Sequence, residues 1–195
     1  MCSKKEEILR KVRKFVLVEM AENDPAHDGA HVERVVALTR ELCAIEVGSD
    51  PYRAELLAWL HDLSDDKLRS HRGTESIQAY LLELGVTEEN ARFVVGGLPY
   101  ISYRKHPRLS KDVPLEIRIV QEADRIDAMG AIGIARTFAY GGAKNRPLEE
   151  SIRHFEEKLL LLYDLLSTDS AKVLALPRYT FLRAFYDQFH KEFGI

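Results

Sequence analysis

Hydrophobic residues recur every three or four positions through almost the whole chain, which is the spacing of one buried face of an α-helix. No segment alternates apolar and polar residues in the manner of a half-buried strand. The pattern therefore predicts an all-α fold. Its helices are expected at about residues 4–22, 30–47, 54–63, 77–84, a short segment ending at 97, 114–129, 130–142, 147–166 and 168–193, the last with an interruption near Pro177.

The sequence shows no sign of a second domain. No linker, repeat or low-complexity segment divides it, so residues 1–195 are expected to form one domain. The small residues of the run AMGAIGIAR, at 128–136, predict close helix packing rather than a phosphate-binding loop, because no strand precedes them. Phe181, Phe185 and Phe189 share a helical stripe that either packs on the core or buries the interface of a homo-oligomer.

Composition and charge exclude several classes of protein. The 195 residues are 46% hydrophobic and 30% charged, as in ordinary soluble domains. A formal net charge of −3 argues against a nucleic-acid-binding protein, although residues 102–111 form a local basic run. Two cysteines do not make a disulfide framework. No apolar run reaches the ~20 residues of a membrane helix and the N-terminus is charged, so a cytoplasmic protein is expected.

Four polar residues interrupt faces that are otherwise apolar. His61 and Asp62 follow the run AELLAWL, and His31 begins a helical stripe that continues with hydrophobic residues. Asp124 stands in another such stripe, where an unpaired carboxylate would cost several kcal/mol on burial. Residues that break the local pattern in this way concentrate at functional sites.

Two histidines and two aspartates on three helices can satisfy one another around a divalent cation. Mixed nitrogen and oxygen ligands favour Mn, Fe, Co, Ni or Zn over Mg or Ca, which prefer oxygen alone. An open coordination position would generate a hydroxide nucleophile. Taken singly, each residue has a simpler interpretation: a histidine can be a hydrogen-bonded core residue, and Asp124 can pair with Arg34 or Arg125.

The order His31, His61–Asp62, Asp124 resembles the H…HD…D pattern of the HD-domain metal-dependent phosphohydrolases. The flanking sequences HDGAHVERV, LHDLSDDK and EADRIDAMGAIGIARTFAYGG resemble the small bacterial and archaeal HD hydrolases, some of which are described as nucleoside triphosphate pyrophosphohydrolases. The third block of that group typically reads DADRLDA. Here Glu122 replaces its first aspartate and Ile126 its leucine, and neither change affects Asp124.

The resemblance implies a compact helical bundle, with the motifs in a core at about 24–142 and the helices at 147–193 packed on it. It also implies that the reaction is attack of metal-bound hydroxide on phosphorus, in a nucleotide or another small phosphate ester or anhydride. The implied metal ligands are His31, His61, Asp62 and Asp124.

Further site residues follow from their positions beside these ligands. Asp65 is expected to orient or deprotonate the attacking water and Lys67 to hold a phosphate oxygen, unless both belong to a solvated turn. The remaining candidates would bind substrate or support the ligands: His27, Arg34, Arg125, Asp127, Tyr103 and Arg104. The last two lie in a long irregular segment at 98–113, which is either a lid over a nucleotide or a solvated basic loop.

Two functions of different class remain from the sequence. The first is a metal-dependent phosphohydrolase that acts on a small phosphate-containing molecule and has no membrane partner. The alternative is a non-catalytic helical protein that binds metal or nucleotide, or whose four polar residues form a structural cluster. An RNA-binding role through the basic loop is disfavoured by the net charge.

Overall fold

The computed structural model describes residues 3–21, 28–64, 71–103, 106 and 108–194. Every regular element in these residues is an α-helix or a short 3-10 turn, which confirms the all-α prediction. The 3-10 turns are His61–Ser64, Leu159–Leu161 and Tyr163–Leu165. The α-helices are α1 (Lys4–Glu19), α2 (Gly29–Ile45), α3 (Pro51–Leu60), α4 (Thr74–Glu83), α5 (Glu88–Ile101), α6 (Leu115–Asp127), α7 (Gly130–Ala143), α8 (Leu148–Glu157) and α9 (Asp169–Phe193).

Two predicted helix ends and one predicted interruption are wrong. Helix α5 continues past Gly97 and includes Pro99, and α9 runs through Pro177 without interruption. In α9, buried residues on both sides of the proline, Ala175 and Leu182, hold the helix although one backbone hydrogen bond is lost. The helix expected to reach residue 166 ends at Glu157, and 3-10 turns follow it.

The chain divides into two compact units, Met1–Gln121 and Glu122–Ile195, and α6 contributes residues to both. In the first unit α3 is the central helix, packed against α1, α2 and α5. All its residues from 54 to 60 are buried, so it has no solvent face. Asp50 caps its N-terminus by accepting hydrogen bonds from the backbone of Tyr52 and Arg53. The single-domain interpretation stays a prediction.

A charged contact holds α2 against α3 in the first unit. Arg40 donates two hydrogen bonds, of 2.8 and 2.5 Å, to the carboxylate of Glu55. Trp59 donates a third at 3.3 Å through its indole nitrogen. The hydrogen bond to Glu55 raises the pKa of Arg40. His31 lies in the first turn of α2 and His61 directly follows α3, so this contact helps to fix the two helices that position these histidines.

Glycines in the second unit permit close backbone packing, as the sequence predicted. Gly130 begins α7 with φ of +75°, a conformation that favours glycine. A Cβ atom on Gly133 would lie 2.0 Å from the carbonyl oxygen of Ala128. No other residue fits at Gly133 without moving the backbone between α6 and α7.

An aromatic cluster joins α7, α8 and α9 in the second unit. The ring of Phe138 lies 5.9–6.0 Å from those of Phe155, Phe185 and Phe189, measured between centroids. Two of the three phenylalanines of the C-terminal stripe therefore pack within the unit, whereas Phe181 is 53% exposed. The homo-oligomer stays a prediction. In the described part of the chain, none of the helices has the length and apolar character to cross a bilayer.

Candidate metal centre

His31 lies in the first turn of α2, where its side chain is 2% exposed. The residue that precedes the helix is Asp28, whose carboxylate accepts a hydrogen bond of 2.9 Å from the backbone N–H of His31. This arrangement is an N-cap, in which a side-chain oxygen binds an N–H group that has no partner within the helix. The cap fixes the backbone from which the imidazole projects.

His61 and Asp62 open the 3-10 turn that follows α3. The Nδ1 atom of His61 lies 2.7 Å from the carbonyl oxygen of Ala58. Because a carbonyl oxygen only accepts hydrogen bonds, Nδ1 must carry the proton. This contact orients the ring and directs Nε2 toward Asp62, an arrangement that is usual for histidines that bind metals.

The three side chains converge on one point. Nε2 of His61 lies 3.2 Å from Oδ1 of Asp62, and Nε2 of His31 lies 3.5 Å from Oδ2 of the same carboxylate. The two imidazole rings meet edge to face, with centroids 5.4 Å apart. One ligand atom from each residue lies within 4.8 Å of the others, so a single ion can contact all three.

The chemistry of this donor set fits a cation. With its proton on Nδ1, neutral His61 presents a lone pair at Nε2 to a carboxylate oxygen that also carries only lone pairs. Two such atoms at 3.2 Å repel unless positive charge compensates them, such as that of a metal ion or of a second proton on the imidazole. Asp62 is 13% exposed and both histidines only 2%, so the cluster is largely shielded from water.

Asp124 lies on α6 in the second unit and is half-buried. Its role as the fourth ligand stays a prediction. Its neighbours have structural contacts within that unit: Arg125 donates a 2.8 Å hydrogen bond to the carbonyl of Leu165. Asp127 is fully buried and accepts a 2.6 Å hydrogen bond from Arg136. These contacts order the end of α6, and a role for Arg125 and Asp127 in supporting a ligand stays a prediction.

The other predicted site residues divide into two groups. Arg34 lies on α2 one turn after His31, and Tyr103 follows the end of α5; both are half-buried. The remaining four lie outside the described residues: His27, Asp65, Lys67 and Arg104.

Two acidic residues have structural roles that the sequence prediction did not assign. Asp28 caps α2, and its position three residues before His31 is the signal that could have identified it. Glu122 is 1% exposed and accepts hydrogen bonds from the backbone and hydroxyl groups of both Ser167 and Thr168, at 2.6–2.9 Å. No local sequence pattern indicates the role of Glu122, because Ser167 and Thr168 are 45 and 46 residues away.

The chain matches known proteins along nearly its whole length and theirs. The YpgQ protein of Bacillus subtilis, which carries the description uncharacterized, is 36% identical over 188 residues, which cover 93% of this chain and 91% of that protein. A crystal structure of YpgQ in complex with ADP matches with a TM-score of 0.86, 32% identity and 97% coverage of both chains. No protein-family model matches the chain.

Two further structures carry a functional description. An HD-superfamily hydrolase from Bacillus thuringiensis matches with a TM-score of 0.77 and 36% identity, covering 97% of this chain and 98% of its own. A predicted HD superfamily hydrolase from an uncultured Thermotogales bacterium matches with a TM-score of 0.66 and 27% identity, over 95% and 92% of the two chains.

Proposed function

The chain belongs to the HD superfamily of hydrolases, and we propose that it is a divalent-metal-dependent phosphohydrolase that acts on a nucleotide or another small phosphate ester or anhydride. The family supports hydrolysis in general. The metal and the phosphate substrate are the finer part of the proposal: the side chains at the cluster support the metal, and the ligand of a relative supports the phosphate substrate.

The observation that supports a bound metal is the distance of 3.2 Å between Nε2 of His61 and a carboxylate oxygen of Asp62. Nδ1 of the same ring is hydrogen-bonded to a carbonyl. A divalent cation would turn this repulsion between lone pairs into ligation. When bound, such an ion lowers the pKa of water enough to supply hydroxide at neutral pH and withdraws charge from phosphoryl oxygens. Two nitrogen ligands favour Mn, Fe, Co, Ni or Zn over Mg.

The residues of the chain would divide the work as follows. His31, His61, Asp62 and, as the family resemblance implies, Asp124 would hold the ion. The Ala58 carbonyl keeps His61 in the tautomer that binds a metal.

Further polar residues would act on the substrate. Asp65 orients or deprotonates the attacking water, and Lys67 binds a phosphate oxygen as a point charge. The substrate-binding group would comprise His27, Arg34, Tyr103 and Arg104, with Arg125 and Asp127 supporting the end of α6.

A nucleotide is the substrate class we favour. A relative that matches along nearly the whole chain, YpgQ, has been crystallised with ADP. Tyr103 offers an aromatic ring for a base, and the basic run around it offers charge for phosphates. Cleavage of a nucleoside triphosphate to the monophosphate and pyrophosphate is the specific reaction to test first.

The direct test is a screen for phosphate and pyrophosphate release from nucleotides, with Mn, Mg, Co and Ni compared. We expect release with at least one transition metal and weaker release with Mg. The variant Asp62→Ala should lose bound metal and turnover together. Asp187→Ala, which removes an exposed carboxylate of α9, is the control and should retain both. Wild-type turnover in Asp62→Ala without stoichiometric metal would refute the proposal.

The same distances favour one competing function. If the imidazoles are doubly protonated, His31, His61 and Asp62 form a buried ion-pair cluster, and the protein is a non-catalytic helical protein that binds nucleotide or serves a structural role. Metal analysis separates the two functions. A purified chain without metal, whose thermal stability does not respond to added Mn²⁺, would support the non-catalytic protein.

A further inference from the structure

Asp28 caps the start of α2. Asp28 accepts two hydrogen bonds from the backbone N–H of His31, one through its side chain at 2.9 Å and one through its own carbonyl at 3.1 Å. The first four N–H groups of a helix have no acceptor within it, and His31 is the third helical residue. If the side chain is removed, the carbonyl of residue 28 is the acceptor that remains for this N–H group.

Two other contacts at this turn restrain it weakly. Glu33 accepts two hydrogen bonds from Arg13 of α1, but the two side chains are 41% and 56% exposed, and exposed pairs of this kind contribute little. Gly29 allows Leu17 to pack closely, since a Cβ atom there would lie 2.7 Å from the end of that side chain. Leu17 can change rotamer, so this contact does not fix the backbone.

We propose that Asp28 is a positioning residue for the metal, an assignment that rests on the proposed metal site. By holding the backbone of His31, it orders the first turn of α2 before the ion arrives and aims the imidazole at Asp62. Metal ligands must be placed to within a few tenths of an ångström. A turn that is frayed in the free protein has to be ordered on binding, and that ordering lowers the affinity.

The chain offers a matched control for capping itself. Asp50 caps α3 in the same unit and accepts hydrogen bonds of 2.9 and 3.2 Å from the backbone. The ligand that α3 leads to, His61, is at the opposite end of the helix. Loss of either cap should destabilise a helix by a similar amount, but only the cap of α2 lies beside a metal ligand.

The experiment is calorimetric titration of Mn²⁺ into the full chain, with thermal unfolding measured on the same samples. Asp28→Ala should bind Mn²⁺ about 5- to 30-fold more weakly than the wild type, the factor that corresponds to loss of a cap. Asp28→Asn retains the acceptor oxygen without the charge and should bind almost as the wild type does. Asp50→Ala should unfold at a lower temperature with its Mn²⁺ affinity unchanged.

Each other outcome rejects the assignment. Equal affinity in Asp28→Ala and the wild type would remove Asp28 from the site while leaving the proposed metal site intact. An equal loss in Asp28→Asn and Asp28→Ala would mean that charge, not capping, acts on the ion. If the alanine variant does not fold, Asp28→Thr, a weaker cap, should bind more weakly than Asp28→Asn, and equal binding would overturn the assignment. A wild-type chain that binds none of Mn²⁺, Co²⁺, Ni²⁺ and Zn²⁺ would refute the metal site itself.

Discussion

Replacement of Asp62 by asparagine separates the metal site from a structural ion pair by the sign of its effect. The change keeps the size of the side chain and exchanges one carboxylate oxygen for an NH₂ group. Both oxygens of Asp62 face an imidazole Nε2, at 3.2 Å for His61 and 3.5 Å for His31. The new amide would therefore point at a ring nitrogen whichever way it turns.

The magnitude follows from the state of the histidines in the metal-free chain. If they are neutral, the amide donates a hydrogen bond to a ring nitrogen and Asp62→Asn gains about 1 kcal/mol of unfolding free energy. If His61 is an imidazolium, loss of the carboxylate leaves a buried positive charge, at a cost of roughly 3–5 kcal/mol. The two expectations differ in sign and are about 4–6 kcal/mol apart.

Metal reverses the order of the two proteins if the cluster is a metal site. An ion present at one hundred times its Kd stabilises the wild type by about 2.7 kcal/mol. For a chain of this size that shift corresponds to roughly 5–10 °C in Tm. Asp62→Asn should lose most of it, because a neutral amide is a poor ligand beside two imidazoles.

The assay is thermal and urea unfolding of both proteins after chelation, and again with Mn²⁺ added. Asp50→Asn is the control: it makes the same chemical change at a helix cap outside the cluster, where asparagine serves as well as aspartate. A metal-free Asp62→Asn chain that is several kcal/mol less stable than the wild type would refute the neutral-histidine arrangement. An unchanged metal shift in the variant would refute ligation by Asp62.

Three further predictions concern stability away from the cluster. Glu122→Ala should lower the unfolding free energy by roughly 3 kcal/mol, because the backbone donors of Ser167 and of the buried Thr168 lose their acceptor. Thr39→Val should raise it by about 1 kcal/mol, since the buried Thr39 hydroxyl has no hydrogen-bond partner in the described part of the chain. Burial, and then Lys158, lower the pKa of His154, so stability should fall as the pH drops below the unfolded pKa of 6.5, and His154→Gln should flatten that dependence.

Urea unfolding measures all three, and each has its own control. Glu122→Gln retains an acceptor oxygen and should lose less stability than the alanine variant; an equal loss would deny the role of the hydrogen bonds. Thr39→Ser retains the hydroxyl and should not stabilise the protein, and a destabilised Thr39→Val would contradict the structure. For His154, the slope of unfolding free energy against pH is compared between pH 7.5 and 5.5, and identical slopes would rule out the burial effect.

The local pattern was sufficient for the class of fold and for most helices. The helical spacing of hydrophobic residues, together with the helix-breaking residues, predicts α1, α2 and α4 within a few residues of their observed ends. Each of these helices is defined by one apolar face and a capping or breaking residue. The same local information failed at Pro99 and Pro177. Both prolines lie inside helices whose remaining contacts offset the missing hydrogen bond, and those contacts come from distant segments.

The candidate site shows the same division. Apolar faces interrupted by His31, His61 and Asp62 identified these residues, and the structure brings the three into one group. Their assignment as ligands together with Asp124 remains a prediction. The sequence could not show which ring nitrogen of His61 faces Asp62, since that depends on a carbonyl of the preceding turn.

By itself, then, the sequence determined an all-helical chain, the polar residues out of place in it and the family they resemble, because these are properties of spacing and residue type. The tertiary structure alone decided which atoms meet. The 3.5 Å approach of His31 to Asp62 and the burial of Glu122 against Thr168 each require segments that are distant in sequence to be folded at defined distances. Hydrogen bonds and ligation depend on tenths of an ångström, and no one-dimensional pattern carries that precision.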